Sequence, residues 1–489
     1  MRNSRSLLSW FLTGLASLCI LAGCVNYSGI HSNKKIAPPT RFLSPEHLPK
    51  AKGDWPTMDW ASQFGDPQLT ALIQDALANN PDLDIAKARI SQALAAIQGK
   101  KALLYPNVKA AGALYRVRLS SKRLLPDPLG NSYFTQPFFL TSLNYTLDLW
   151  GKNRAQLKQS ISEAKARATE EQESRLAIST SIASTYIQLA YYYDLRDVVR
   201  QTVSQREALD KISKIRLKSG LDTKVELYQA SNLTGVAKTR LIEVEGQIVL
   251  TRQQLGVLSG VGIERGLRLK RPKIVTPSQH LLPDNLPLNL LGRRPDIAKA
   301  RFAVEAACHG IRFVKAQFYP NINLKAGVGY LAFALSQFTV KANAEYLGPA
   351  VTLPIFDAGA LRAQLKGQYG IYEEAVANYD VTLNKAFSEV MTQLTSLTST
   401  IAQLRTEAET VSSAKHAFRL AKDQYRAGLA SQLVVLNAET LFLNARESQL
   451  KRIANQRTLQ IALIKALGGG FNACLFEAPR CINPKLMSK

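Results

Sequence analysis

The sequence contains an internal repeat, and this repeat limits the possible folds more than any other feature. Residues 81–108 and 295–322 align without a gap at an offset of 214 residues, with ten identical positions. The similarity resumes downstream, where the Gly-Leu pairs at 220–221 and 428–429 align at an offset of 208. A chain with this pattern is expected to build the same order of elements twice and to pack the two copies together.

Each half begins with a helical segment that gives way to strands. Residues 81–104 are rich in helix-forming Ala, Lys, Leu and Gln, and a Tyr-Pro-Asn string at 105–107 ends that helix. Apolar and polar residues then alternate within 143–149, 322–329 and 340–346. We take the apolar positions of each stretch to share one face. The pattern is typical of membrane β-strands, and a soluble hairpin with one face on a core would show it equally.

Very long helices are predicted after the strands. The segments Lys152 to Leu217, Ile371 to Ala427 and Leu429 to Leu467 contain neither Gly nor Pro. The first would be about 100 Å long if it were entirely helical. Helices of this length favour coiled-coil packing, and strands between them argue against a simple filament.

The number of strands restricts the assembly. Two hairpins give four strands per chain, and an open sheet edge in lipid leaves backbone groups unpaired. The smallest membrane barrels have about eight strands. If the strands lie in a membrane, the chain must therefore oligomerise, and the spacing alone allows a dimer or a trimer.

The N-terminus has the features of a bacterial lipoprotein signal. Arg2 and Arg5 precede an apolar region over 7–20, and Leu-Ala-Gly-Cys follows at 21–24. This string resembles a lipobox, in which the Cys24 thiol takes a diacylglycerol, cleavage precedes it and the new N-terminus is acylated. The residue after the cysteine is not Asp, which favours the outer membrane of a Gram-negative bacterium.

The other cysteines indicate no metal site. Cys474 and Cys481 lie close together in the tail, and an oxidising compartment would allow a local disulfide between them. Cys308 lies in an apolar helical pattern, and we expect it to be a small core residue. There is no CxxC pair, and the five histidines are scattered.

Charge and motifs argue against nucleic-acid binding and enzymatic activity. The formal net charge is +25, but Lys and Arg are interleaved with Glu and Asp along the chain. No P-loop, HExxH or Gly-x-Ser-x-Gly string occurs. We therefore expect no catalytic residues, no cofactor other than the lipid on Cys24, and no nucleic-acid partner.

These patterns divide the chain into six parts. The predicted division is a signal peptide (1–23), a lipid-anchored segment (24–80), a first repeat (81–260), a Pro-rich connector (261–294), a second repeat (295–468) and a tail (469–489). Each repeat is predicted to contain a helix, a β-hairpin and a long helical hairpin.

Several strings together resemble one family. Trp-Ala-Ser-Gln-Phe-Gly-Asp-Pro-Gln-Leu at 60–69, Asn-Pro-Asp-Leu at 80–83 and Gly-Arg-Arg-Pro-Asp-Ile at 292–297 accompany the two Tyr-Pro-Asn strings. This combination resembles the TolC-like outer-membrane efflux factors, in the lipoprotein branch that serves resistance–nodulation–division pumps. The resemblance covers nearly all of the chain after the signal peptide.

The resemblance implies an α+β membrane protein that forms a homotrimer. Three chains would share one 12-stranded outer-membrane β-barrel, which a long periplasmic α-helical barrel would continue. The implied partners are a periplasmic adaptor, an inner-membrane pump and outer-membrane lipid, and the implied activity is passive conduction of drugs or other small solutes. The alternatives are an export duct for type I protein secretion and a structural periplasm-spanning coiled coil.

The reversals between long helices are the first candidate site. Gly220 and Leu221 form one tip, and Gly428 and Leu429 form the other, because glycine permits the positive φ that a helix reversal often needs. The resemblance implies that both tips face the adaptor and splay apart when the channel opens. A purely structural turn is the alternative.

A periplasmic gate is the second candidate site. Alignment of the halves pairs Glu226 and Gln229 with Val434 and Asn437, just beyond the tips. Some family members carry acidic residues at the latter two positions, which build carboxylate rings, so this chain departs from them. Glu226 would then be the main acidic group of the gate. The alternative is that residues 434 and 437 simply pack against a neighbouring helix.

Overall fold

A computed structural model describes most of the chain. The described residues are 27–38, 41–42, 54–118, 120, 133–277, 286–335 and 338–473. The signal peptide, Cys24, Cys474 and Cys481 lie outside them, so lipidation and the disulfide stay predictions.

Helices and strands follow the same order in both halves. A 3-10 helix at Trp60–Phe64 precedes α1 (Pro67–Asn79), α2 (Pro81–Ala102), β1 (Asn107–Arg118), β2 (Tyr133–Leu147), α3 (Lys152–Lys218) and α4 (Lys224–Leu258). The remaining elements are α5 (Ile263–Leu267), α6 (Leu286–Arg293), α7 (Pro295–Ala316), β3 (Asn321–Leu335), β4 (Phe338–Thr352), α8 (Ala360–Arg426) and α9 (Gln432–Ala466). Helices α2 and α7 have 22 residues each, α3 and α8 have 67 each, and α4 and α9 have 35 each.

The long helices were largely predictable, with one exception at the start of α8. Helix α8 begins at Ala360, well before the predicted Ile371, and includes Gly367 and Gly370. A glycine inside a helix costs about 1 kcal/mol relative to alanine. Burial of Leu365 in an apolar cluster with residues of α7 offsets that cost.

The four strands form one antiparallel sheet in the order β1-β2-β3-β4. Pairing of β2 with β3 joins the two halves of the sequence within the sheet. Strand β2 ends at Leu147, so Leu149, which the alternation included, lies outside the sheet. Every helix in the described part of the chain is too short or too polar to traverse a lipid bilayer.

Two compact units divide the chain, and each takes segments from both repeats. The described residues of 1–36, 89–167 and 300–379 form the first unit, which contains the sheet. The described residues of 37–88, 168–299 and 380–489 form the second unit. An apolar cluster of the second unit includes Phe64, Leu69 and Tyr186, each of which is fully buried.

The Arg-Arg-Pro-Asp string has a structural role in the second unit. Arg294 is 6% exposed and donates hydrogen bonds to the Ala466 carbonyl (2.9 Å), Asp296 (2.6 Å) and Glu389 (2.9 Å). A planar guanidinium can satisfy three acceptors at once. Arg294 therefore ties the start of α7 to α8 and to the end of α9.

Cys308 is a free thiol on α7 and is only half-buried, so the expected core position is wrong. Burial raises the pKa of this thiol, which keeps it protonated.

Candidate functional site

The first reversal lies between α3 and α4 in the second unit. Gly220 has a φ of 70°. Its amide donates to the Leu217 carbonyl (3.1 Å), and the Leu221 amide donates to the Arg216 carbonyl (2.9 Å). These two bonds form a Schellman motif, which satisfies the last carbonyls of α3. The side chain of Leu221 is 65% exposed, so the turn does not use it for packing within the chain.

The second reversal, between α8 and α9, has the same geometry. Gly428 has a φ of 74°, its amide donates to the Tyr425 carbonyl (3.1 Å), and the Leu429 amide donates to the Gln424 carbonyl (2.9 Å). Leu429 is 80% exposed. The predicted positive φ is therefore confirmed at both glycines, and each tip presents an unburied leucine.

Glu226 takes part in capping the N-terminus of α4. The Glu226 carboxylate accepts from the Thr223 amide at 2.9 Å and from the Thr223 hydroxyl, while the Val225 amide donates to that hydroxyl oxygen at 3.1 Å. This arrangement is a capping box. The Thr223 hydroxyl, with help from backbone amides, lowers the pKa of Glu226, so the exposed carboxyl is ionised at neutral pH.

The four predicted gate residues do not form one cluster. Gln229 and Asn437 line a common groove of about 630 Å³ between α4 and α9, together with Tyr228, Leu433 and Leu436 among others. Val434 is 45% exposed, and neither it nor Glu226 lines this groove.

A contact between the two reversals was not predicted from the sequence. The Arg216 guanidinium donates to both carboxylate oxygens of Asp222 (3.0 and 3.1 Å) and lies 5.2 Å from the Tyr425 ring centroid. Cation–π contacts of this kind are favourable over tyrosine. The six-residue spacing of Arg216 and Asp222 was visible in the sequence, but the approach of Tyr425 was not.

A buried ion pair further along the same helices was also missed. Arg206 on α3 lies 2.9 Å from a carboxylate oxygen of Glu439 on α9, and Glu439 is completely buried. The Arg206 guanidinium also donates to Thr440 (3.4 Å). Burial raises the pKa of Glu439, while Arg206 and Lys422 act in the opposite direction. No local signal in the sequence marks a pair separated by so many residues.

The register of the sheet assigns its residues to two faces. What we call the apolar face carries the even-numbered residues of β1 and β3 and the odd-numbered residues of β2 and β4. Among described side chains, the exposed large apolar residues on this face are Val108, Leu114, Tyr133, Phe139, Leu147, Val328, Leu347 and Val351. The opposite face, here the polar face, exposes only Tyr115 and Tyr346 among such residues.

Strands β2 and β3 have the predicted orientation, and β4 does not. Leu143 lies on the apolar face and Asn144 on the polar face, as the alternation predicted. In β4, however, Ala344 and Tyr346 lie on the polar face, and Asn343 and Glu345 lie on the apolar face. The predicted facing of β4 is therefore wrong, because pairing with β3 fixes the register regardless of local alternation.

The polar face contains hydroxyl, amide and amino groups near the helix-proximal end of the strands. The Thr146 hydroxyl donates to Asn323 at 2.8 Å. Lys325 lies opposite Asn144, and Lys109 lies opposite Ser142. In the described residues, no group of three or more His, Cys, Asp or Glu side chains could hold a metal ion.

Comparison with known proteins relates this geometry to one family. A family model described as "Outer membrane efflux protein" matches residues 72–261 and 286–469. The multidrug resistance outer membrane protein MdtP of Escherichia coli is 28% identical over 478 residues, which cover 94% of this chain and 98% of that protein. The fusaric acid resistance protein FusA of Burkholderia cepacia is 33% identical over 315 residues, which cover 64% of this chain and 59% of FusA.

Solved structures show the same architecture. The outer membrane protein VceC of Vibrio cholerae matches with a TM-score of 0.78 and 32% identity, over 86% of this chain and all of VceC. The CmeC outer membrane channel of Campylobacter jejuni matches with a TM-score of 0.79 and 23% identity, over 91% of this chain and 94% of CmeC, which is similarity of fold.

Proposed function

Because this chain belongs to the outer membrane efflux protein family, we propose that it is the outer-membrane channel of a tripartite efflux pump and that three copies form the channel. The channel conducts drugs or other small solutes passively from the pump to the outside. The protein resides in the outer membrane, and its family is one of efflux proteins rather than of enzymes.

The two-faced sheet is the observation that carries this proposal. Exposed Leu and Val side chains and Phe139 lie on one face, whereas Lys109, Lys325 and Asn144 lie on the other. A strand with lipid on one side and water on the other requires this division. Within the described chain β1 and β4 have free edges, so closure requires strands from further copies.

The trimer follows from strand number together with the family. Four strands per chain give twelve in a trimer, which is within the range of membrane barrels. The matching helix lengths in the two halves support two internal repeats per chain and, in the trimer, a helical barrel that continues the strands across the periplasm.

The tips supply the contact with the other pump components. Leu221 and Leu429 are exposed on two turns of the same geometry, which is the arrangement expected of a docking surface for a periplasmic adaptor. The adaptor in turn connects the channel with an inner-membrane pump. Glu226, Gln229, Val434 and Asn437, which follow the tips, are proposed to form the periplasmic gate.

A lipid anchor at Cys24 is part of the proposal. The lipobox string supports it, and the mass of the mature N-terminal peptide would show a triacylated cysteine. An unmodified N-terminus at another residue would exclude the anchor.

Reconstitution tests the proposed function. The purified protein should be a trimer by native mass spectrometry, should form conducting pores in a planar bilayer, and should co-purify with an adaptor and an inner-membrane pump. A protein without conductance would instead favour the structural coiled coil. Co-purification with a protein-secretion ATPase would favour the type I export duct.

A further inference from the structure

We propose that the channel prefers anionic solutes, because Lys109 and Lys325 on the polar face of the sheet have no acidic partner among the residues that the structure describes. This inference rests on the proposed function, since it requires the polar face to line the shared barrel. It adds a substrate class, small organic anions.

The two lysines lie on the same face and close to each other. Lys109 of β1 is opposite Ser142 of β2, and Lys325 of β3 is opposite Asn144 of β2. Strand spacing of about 4.8 Å and a rise of about 3.4 Å per residue separate the two backbone positions by about 12 Å. Both side chains are exposed, so both ammonium groups can reach the solvent in front of the sheet.

No carboxylate compensates these charges on the polar face. The only acidic residue in the four strands is Glu345, and the register assigns it to the apolar face. Neither lysine has an ion-pair partner among the described residues, and their neighbours on β2 are neutral hydroxyl and amide groups. The two positive charges are therefore unopposed on this face.

The sequence around these two lysines also carries a positive net charge. Residues 85–126 contain nine Lys and Arg and no Asp or Glu, and the whole chain has a formal net charge of +25. Arg116 and Arg118 of this segment lie on the apolar face, where their guanidinium groups cover the Tyr133 ring. The segment that runs through β1 thus adds basic residues without adding acidic ones.

In a trimer the two lysines become a ring of positive charge. Three chains place six ammonium groups in the same section of the pore, where low-dielectric walls strengthen their field. Rings of Lys or Arg favour anions in a pore, as rings of Asp or Glu favour cations. A solute with a carboxylate should enter this section more readily than a cation of the same size.

Reversal potentials in a planar bilayer test the inference. Under a KCl gradient, the reversal potential of the current through the unaltered trimer should be shifted from zero toward the equilibrium potential of chloride. The reversal potential should still indicate anion preference when benzoate replaces chloride. The double substitution Lys109→Gln and Lys325→Gln should move the anion-to-cation permeability ratio toward unity. Lys109→Arg with Lys325→Arg should retain the selectivity, and Arg116→Gln, on the same strand but the other face, should leave it unchanged.

The outcomes separate this inference from the proposed function. A conducting trimer that prefers potassium, or one whose selectivity the double glutamine substitution does not alter, would overturn the anion preference and leave the channel intact. A protein that forms no pores would overturn the proposed function itself, and the anion preference with it.

Discussion

The Tyr186 hydroxyl donates a 2.7 Å hydrogen bond to the Asp66 carboxylate, although 120 residues separate the two. The same carboxylate accepts from the backbone amides of Gln68 (3.0 Å) and Lys273 (2.7 Å), and the Gln68 side chain donates to the Tyr186 oxygen (2.6 Å). Asp66 therefore caps α1 and ties it to α3 and to the segment after α5. Burial and the neighbouring Asp66 raise the pKa of Tyr186, so the phenol stays protonated and remains a donor.

Tyr186→Phe should destabilise the second unit. The substitution leaves a buried carboxylate oxygen with one donor fewer, which costs about 1–3 kcal/mol. Thermal unfolding in detergent should show a lower Tm, while Tyr105→Phe, at an exposed tyrosine, should leave Tm unchanged. An unchanged Tm for Tyr186→Phe would mean that water replaces the missing donor.

Replacing one partner of the Arg206–Glu439 pair should destabilise the protein more than replacing both partners. Removing either residue alone leaves an uncompensated buried charge and should cost about 3–5 kcal/mol, whereas replacing both by leucine should be neutral or stabilising. A double-mutant cycle on Tm measures the difference. Additive effects of the two single substitutions would show that the pair is not coupled.

The same pair predicts a pH dependence of stability. Burial raises the folded-state pKa of Glu439, so between the unfolded and folded pKa values the folded chain binds more protons. Stability should therefore fall as the pH rises through that interval, which begins near the unfolded value of about 4.3. Glu439→Gln should remove this component from a Tm-against-pH profile.

Leu143 and Asn144 test the assignment of the two strand faces. Leu143→Lys would turn a charge toward lipid and should cost about 2–4 kcal/mol near the bilayer midplane, whereas Asn144→Lys would turn it toward water and should be tolerated. Assembly of heat-resistant trimers on gels measures both. Equal tolerance at the two positions would contradict the assignment.

Leu221 and Leu429 test the role of the tips. Both leucines are exposed, so Leu221→Asp with Leu429→Asp should not disturb the fold. We expect efflux in cells to be lost because the adaptor no longer docks, while the purified trimer still conducts. Isoleucine at both positions should retain efflux, and loss of the trimer in the aspartate variant would indicate a structural role instead.

The gate prediction concerns block by divalent and trivalent cations from the periplasmic side. With Val434 and Asn437 in place of carboxylates the unaltered channel should be blocked weakly, and Asn437→Asp should strengthen block because three new charges meet in a confined pore. Glu226→Gln should weaken the residual block. The helix should keep its cap, because the side-chain oxygen of the glutamine can still accept a hydrogen bond from the Thr223 amide. Tight block of the unaltered channel, unaffected by Glu226→Gln, would place the ring elsewhere.

Features that depend on neighbouring residues were predictable from the sequence. The length of α3, the end of α2 before the Tyr-Pro-Asn string, and the positive φ of Gly220 and Gly428 all follow from local backbone preferences. The repeat extended the helix end and the positive φ to the second half of the chain, but not the length of α3, since the predicted start of α8 was too late.

Features that depend on distant residues were decided only by the tertiary structure. The facing of β4 follows from its register with β3, and small residues such as Ala344 fit either face, so alternation alone could not assign it. The start of α8 follows from burial of Leu365 against α7, which outweighs two helix glycines. Arg206 and Glu439 meet because long helices bring together residues far apart in sequence, and no local preference encodes that contact.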